Sequence, residues 1–470
     1  MESTTRRFHE NARDGIANDK LQTALSRLGH GFPVKRLAAM ARLPEFERLC
    51  DDARAIKEHT LANLGTYLEH YERKVIESGG HVHWAADAAE ARDIILKICR
   101  DVDARTVTKG KSMISEEIAV NEHLEKNGIQ PIETDLGEYI IQLRGEAPSH
   151  ILAPAIHLSK DQVEDSFRKE HTGLPDERNL DEPQALLEEA RAMLRRKFMA
   201  ADVGITGANM LIAETGTSMI VTNEGNGDLT QTLPNTHIAI ASIEKMVPTL
   251  EDASTILRIL ARSATGQESA VYNTFSTGPR RADDLDGPEN YHVVLLDNGR
   301  SEMLGGEFHD MLRCIRCSAC LNHCPVYKAI GGHAYGWVYS GPMGAVLIPG
   351  LIGLAEAHDL PGASTFCGKC EEVCPLRIPL PRMLRSWRNK SHDAGLGPVK
   401  TRFGLAAWAF LARRPGLYRL LMNIGVRILS LFGSRGRFRS LPLAGGWTSV
   451  RDLPAPQGGT FLSQWKGGRR

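Results

Sequence analysis

The stretch that decides the architecture is Cys314–Tyr327, CIRCSACLNHCPVY, read together with its weaker echo Ser364–Arg377, STFCGKCEEVCPLR. Cys314, Cys317, Cys320 and Cys324-Pro325 spell C-x2-C-x2-C-x3-C-P, a spacing that holds cubane iron–sulfur clusters. Three cysteines two residues apart wrap one cluster corner by corner. The fourth, displaced and turned by its proline, is directed at a second cluster, so the ligand sets cross. Cys314, Cys317, Cys320 and Cys374 then serve one [4Fe–4S] cluster, while Cys324 joins Cys367 and Cys370 on the other.

Alignment of the two motifs on their Cys-Pro ends leaves Ser364 where the first cysteine of the second motif would stand. The second cluster is then either a [4Fe–4S] cluster whose fourth iron takes Ser364, a nearby His or water, or a [3Fe–4S] cluster that needs no fourth ligand. Ser364 also reads as a loop or capping residue. Zinc takes C-x2-C pairs too, but it needs four tetrahedral ligands and does not account for two Cys-Pro endings. Arg313, Arg316 and Lys369 flank the ligands, either to offset cluster charge or as solvated surface.

Working outward, seven of the nine cysteines lie between Cys314 and Cys374, which in a reducing compartment points to metal ligation rather than disulfides. Cys50 and Cys99 stand alone in helical segments and read as ordinary half-buried thiols. A chain of 470 residues predicts two to four units at roughly 100–200 residues each. With 57 basic and 57 acidic side chains, no bulk charge favours nucleic acid as a partner. The N-terminal MESTTRRFHENARDGIANDK lacks the apolar segment of a secretory signal, so a cytoplasmic location is expected. The apolar stretches from Met343 and Gly404 fall short of the ~20 residues that span a bilayer.

Residues 1–75 read as a charged helical segment. Over 76–300, β-rich runs such as HVHWA, RTVTKG and IQPIETD alternate with helical patterns, which predicts βαβ units around a largely parallel sheet. A helix-rich insertion over 159–201 interrupts it, with Asp181 expected to cap a helix that opens at Pro183. Gly216 is flanked by two β-rich runs as in a hairpin. Residues 301–395 form the helical two-cluster, ferredoxin-type region, and 396–470 a basic tail.

The α/β region offers one candidate pocket at the sheet ends. Lys109 and Lys111 of TKGKS follow a strand and precede a helix, a placement that suits an anion. Glu133 and Asp135, Glu214 and Thr215, and Asn223 and Glu224 are expected to line the same pocket, with turn chemistry as the competing reading. No dinucleotide fingerprint is present to supply a hydride acceptor. The tail from Ala394 to Arg451 carries ten Lys or Arg and no acidic residue, interleaved with Trp408, Phe410, Tyr418 and Phe432. It suits an acidic partner surface, a peripheral contact with anionic lipid, or a solvated face.

At this point the chain resembles, over nearly its whole length, the iron–sulfur lactate utilization proteins of the LUD-domain family. The matching text is TVTKGKSMISEEIAVNEHL, IETDLGEYIIQL, GITGANMLIAETGTSMIVTNEGNGDL, the seven cysteines in order, and GWTSVRDLPAPQGGTF in the tail. The resemblance implies an α/β fold like that of ribose-5-phosphate isomerase and the CoA transferases, and two clusters with the second of [4Fe–4S] type. It also implies a complex that oxidises L-lactate to pyruvate, with a cysteine-rich CCG-domain sister protein and a smaller LUD-domain sister protein. The expectation is therefore an electron-transfer subunit. Its competitors are an electron-transfer subunit for another 2-hydroxy acid, an isomerase- or transferase-like enzyme with structural clusters, and an assembly scaffold.

Overall fold

Short runs rich in β-branched and aliphatic residues make ten strands between residues 81 and 296. A computed structural model describes residues 3–467 apart from 176, 434, 442–447, 449 and 450, so part of the tail motif lies outside the described residues. The strands are β1 (His81–Ala85), β2 (Thr106–Gly110), β3 (Gln130–Glu133), β4 (Val203–Gly207), β5 (Met210–Ile212), β6 (Thr217–Thr222), β7 (Thr236–Ser242), β8 (Met246–Val247), β9 (Tyr272–Ser276) and β10 (Asn290–Leu296). Six of them form one sheet in the order β1-β10-β7-β4-β2-β3, and every pair in it is parallel. The other four form a smaller sheet in the order β8-β5-β6-β9, built on the β5–β6 hairpin. Gly216 turns that hairpin at φ +69°, and a Cβ there would lie 2.6 Å from the backbone nitrogen of Val75. Glycine therefore satisfies both the left-handed turn and the close approach.

Helices cover both faces of the parallel sheet, as a parallel sheet requires. Along β10, Tyr291, Val293 and Leu295 face one core, and Val294 and Leu296 the other. Along β7, Ala239 and Ala241 alternate in the same way with Ile238 and Ile240. Val293 to Leu296 are all fully buried, and burial of each such side chain contributes about 1.5–3 kcal/mol. The core behind β10 is continuous from Phe8 through the helix Phe46–Ala62 to Trp387, so the helical N-terminal segment, the α/β region and the cysteine-rich region share it.

The insertion packs separately. Phe167, Leu186, Ala190 and Leu194 gather on Tyr139 and Ile140. Ser159 and Gln162 close a capping box on the helix Lys160–Glu170. Pro183 opens the helix Pro183–Met199 as expected, but Glu182 occupies its cap position in place of Asp181. Residues Met1–Asp393 form one compact unit and Ala394–Arg470 another. The second unit carries the helices Val399–Ala412 and Pro415–Phe432, neither of which buries a residue. No helix among the described residues is long and apolar enough to cross a membrane.

Candidate metal centre and adjoining pocket

The two cysteine motifs fold alike. Arg316 and Ser318 take left-handed backbone angles, φ +59° and +61°, and their counterparts Phe366 and Gly368 take +55° and +81°. A non-glycine residue in that region costs roughly 1–2 kcal/mol, so three such residues in matching loops mark a shape held for the sake of what the loops surround. The turn aims backbone N–H groups at sulfur. Cys314 Sγ accepts from the Arg316 N–H at 3.4 Å, Cys324 Sγ from Tyr327 at 3.5 Å and Cys374 Sγ from Ile378 at 3.5 Å. Ser364 Oγ accepts from the Phe366 N–H at 3.1 Å, so the serine repeats the side-chain geometry of Cys314. Pro325 then opens the helix Pro325–Ile330 and carries the chain away.

The thiols divide into two groups. Cys314, Cys317, Cys320 and Cys374 line one cavity with Met311, Leu321, Met343 and Ile378. Burial pushes the thiols of Cys317 and Cys320 well above the ordinary cysteine value and Cys374 to about 11, and members of this group raise one another further. Cys324 is raised by burial and then by Cys367, and Cys370 is pushed to about 12 by burial, Cys324 and Cys367. Cys367 differs: it is exposed, and the Lys369 N–H and Thr365 hold its thiol below the usual value. Thiolates so close together need positive charge among them, which the irons of a cluster supply. Among the described residues no three His, Cys, Asp or Glu side chains converge on a point that a single ion would fill. Cys314, Cys317, Cys320 and Cys374 surround a space, and that suits a polynuclear cluster.

Cations from three directions brace the loops. Arg313 is buried against Glu58 and lies 3.1 Å from Asp310. Arg36 donates to the Val373 carbonyl at 3.1 Å. Arg316 is half-buried and lies over the Tyr339 ring at 5.1 Å. Lys369, the third flanking cation, is exposed beside Glu372.

Arg316 also reaches a second space. A cavity of about 160 Å³ lies at the carboxyl ends of the parallel strands, lined by Lys111, Asn209, Ser242, Lys245, Arg316 and Tyr339 among others. Ligands of open parallel sheets bind at this edge. Of the residues expected there, Lys111 and Asn223 line the cavity. Asp135 stands behind Lys111 at 3.6 Å, and Glu224 accepts from the Leu136 N–H at 3.4 Å. Lys109 and Glu133 face each other across β2 and β3 as a buried ion pair at 2.6 Å, with Glu116 on the same ammonium. Burial alone would lower the Lys109 value, but Glu116 and Glu133 hold it protonated. Glu214 and Thr215 lie outside the lining: Glu214 accepts from the Leu250 N–H at 3.2 Å and Thr215 bonds Thr217 at 2.7 Å.

Beneath the cavity runs a buried charge network that sequence reasoning passed over. Arg300 grips Glu117 with two hydrogen bonds, 2.9 and 2.8 Å, and its Nε lies 3.0 Å from Glu244. Glu244 in turn pairs with Arg316 at 3.3 Å. Burial alone would raise the Glu244 carboxyl, yet Arg300 and Arg316 hold it at about 2. Lys245 sits one residue on, its ammonium pushed down to about 8 by burial and by Arg316. The available signal was position: Glu244 and Lys245 follow β7, a central strand, at its carboxyl end.

Three stretches match described families: the LUD domain over residues 68–296, a 4Fe-4S dicluster domain over 310–378, and the C-terminal region of lactate utilisation protein B over 391–468. Lactate utilization protein B of Bacillus licheniformis is 41% identical over 473 residues, spanning 100% of this chain and 98% of that protein. The chain belongs to the lactate utilization protein B family. The uncharacterized electron transport protein YkgF of Escherichia coli is 41% identical over 464 residues, 98% of this chain and 95% of that one. The crystal structure of a DUF162 family protein from Deinococcus radiodurans covers 50% of this chain and 98% of its own, at 15% identity and a TM-score of 0.26, a likeness too low to argue from. As in the lactate utilization protein B family, a LUD α/β core and an iron–sulfur domain share one chain, and all seven motif cysteines fall inside the dicluster match.

Proposed function

We propose that the chain is the iron–sulfur electron-transfer subunit of a complex that oxidises L-lactate to pyruvate. The observation that carries this reading is the double role of Arg316: its N–H bonds the Cys314 sulfur, and its side chain lines the cavity on the α/β region. A substrate-sized space and a cysteine cradle thus share a wall one residue thick. The names of the relatives add lactate utilization and, for the Escherichia coli protein, electron transport.

In this reading Cys314, Cys317, Cys320 and Cys374 hold one [4Fe–4S] cluster. Cys324, Cys367 and Cys370 hold the other, with Ser364 at its fourth corner. Support comes from the two thiol groups and from the hydrogen bond by which Ser364 repeats Cys314. When bound, two such clusters supply two one-electron acceptors, matching the two electrons that leave a hydroxy acid on its oxidation to a 2-oxo acid. The chain's own residues donate N–H groups to the sulfurs and set the Arg313 and Arg316 guanidinium groups beside them, both of which raise the potential of a thiolate-ligated centre.

The partners are a cysteine-rich CCG-domain sister and a smaller LUD-domain sister. The helix Val399–Ala412 favours such docking. Residues 403–412 are apolar on every side, Trp408 is 60% exposed, and at 14 residues the helix is too short to span a bilayer. An apolar face of this kind is covered in an assembled complex. The test is anaerobic co-purification with both sisters, followed by addition of L-lactate. The reading expects bleaching and an EPR signal from reduced clusters with L-lactate. Clusters that stay oxidised with L-lactate while another 2-hydroxy acid reduces them would replace the substrate, and isomerase-like turnover by cluster-free chain would replace the reading.

A further inference from the structure

The charged groups that line the cavity are all of one sign. Three charged residues line it, Lys111, Lys245 and Arg316, and all three are cations. Arg316 shares Glu244 with Arg300, and Lys111 has Asp135 at 3.6 Å behind it. The Lys245 ammonium makes no hydrogen bond or ion pair among the described residues. Arg300 and Arg316 are held by Glu117 and Glu244, and Arg316 also faces the Cys314 sulfur, so Lys245 is the cation of this group that no carboxylate reaches within ion-pair distance. An unpaired cation largely out of water is costly unless an anion joins it.

The rest of the lining sets the size and character of that anion. The cavity, about 160 Å³, is close to the ~150 Å³ space that accepts a molecule of benzene's size, which suits a small anion. Gly207 lets the wall of the cavity pack closely, since a Cβ there would meet Ser112 Oγ at 3.0 Å and the Lys111 carbonyl at 3.2 Å. Ser242 and Asn209 are polar residues of the lining, and Ile151, Leu260 and Ala264 add apolar surface that inorganic phosphate would leave unused.

We propose that this cavity binds a small organic monoanion, a short-chain 2-hydroxy or 2-oxo carboxylate, with its carboxylate on Lys245 and Arg316 and its alkyl end against Ile151, Leu260 and Ala264. The choice of hydroxy and oxo acids rests on the function proposed above; the anion site does not. Arg316 N–H meets the Cys314 sulfur, so occupancy of the cavity is readable in the signal of the cluster held by Cys314.

The test uses the full chain with its clusters, kept anaerobic and titrated with oxamate by calorimetry and by EPR. A charge-assisted hydrogen bond of about 1.5–3 kcal/mol converts to roughly a 10- to 100-fold loss of affinity in Lys245→Met, with recovery in Lys245→Arg and unchanged iron content. A readout that needs no variant is the acetylation rate of Lys245 in the wild-type chain, which bound oxamate should slow several-fold while leaving Lys126 unaffected. Oxamate affinity unchanged in Lys245→Met, or no protection of Lys245, overturns the site. Inorganic phosphate binding as tightly as oxamate overturns its organic character. Clusters unreduced by lactate in the assembled complex, with oxamate binding and Lys245 protection intact, would remove the lactate reading and leave the anion site. Lactate reduction with an unchanged KM in Lys245→Met would do the reverse.

Discussion

Glu117 is the residue whose loss the buried network should feel most. Four donors converge on its carboxylate: two Arg300 nitrogens at 2.9 and 2.8 Å, Asn298 Nδ2 at 2.7 Å and the Tyr339 hydroxyl at 2.6 Å. Both Glu117 and Arg300 side chains are 0% exposed, so solvent does not screen the pair. Glu117→Gln keeps the volume and deletes the charge, leaving Arg300 to Glu244 alone. Breaking one side of a buried ion pair costs about 3–5 kcal/mol. Tyr339→Phe removes one charged hydrogen bond and strands no charge, for about 1.5–3 kcal/mol. The two substitutions share the Tyr339–Glu117 bond, so the double variant should lose less than the sum, by about 0.5–3 kcal/mol. Urea unfolding of the cluster-loaded chain, followed in parallel by far-UV circular dichroism and cluster absorption, measures all three. Tyr339 lies in the cysteine-rich region and Glu117 behind β2, so cluster absorption should fall together with the helix signal. A Glu117→Gln variant within about 1 kcal/mol of wild type, or strict additivity of the pair, would refute the reasoning.

Three further outcomes follow from single sites. Ser364→Cys should shift the EPR signal of one cluster only, the one that Cys367→Ala also alters; an unchanged spectrum would count against Ser364 as a ligand. His237 is buried on Thr206 at 2.8 Å, and burial with His292 nearby pushes its value down to about 3. Between the ordinary value near 6.5 and about 3 the unfolded chain binds the extra proton, so stability should fall as pH falls across that window, by roughly 4 kcal/mol at its end. His237→Gln should flatten that slope in pH-dependent unfolding, and an equal slope would remove His237 from the account. In cluster-depleted chain, iodoacetamide should label exposed Cys367 first, whereas Cys50 and Cys99, both buried and pushed to about 12, should resist; rapid labelling of Cys99 would contradict its placement.

Much of this was legible in the sequence because the relevant patterns are local. The near-continuous apolar runs of β7 and β10 specify two-sided burial, Gly216 specifies a hairpin, and the Cys-Pro spacing specifies loops that surround a cluster. What stayed hidden depends on distant residues meeting. Glu117 and Tyr339 are 222 positions apart, and Lys57 reaches the Glu244 carbonyl across 187. Nothing in SEEIA or ASIEK announces that partnership. The pocket was foreseen at the right sheet edge, but Glu214 and Thr215 turned away into the hairpin, where their hydrogen bonds serve the backbone and Thr217. Lys109, a natural anion ligand by position, is already neutralised by Glu133 from the neighbouring strand, which strand register alone decides.

The central claim is that the ligand sets cross between the motifs, and paired cysteine substitutions test it most directly. Each of Cys317, Cys374, Cys324 and Cys367 would be changed singly to Ala in the anaerobically purified chain, with iron, sulfide and EPR read for each variant. Crossed ligation predicts that Cys374→Ala damages the same signal as Cys317→Ala, and Cys324→Ala the same signal as Cys367→Ala. Cys324→Ala grouping with Cys317→Ala would mean that each motif keeps its own cluster, and would contradict the account.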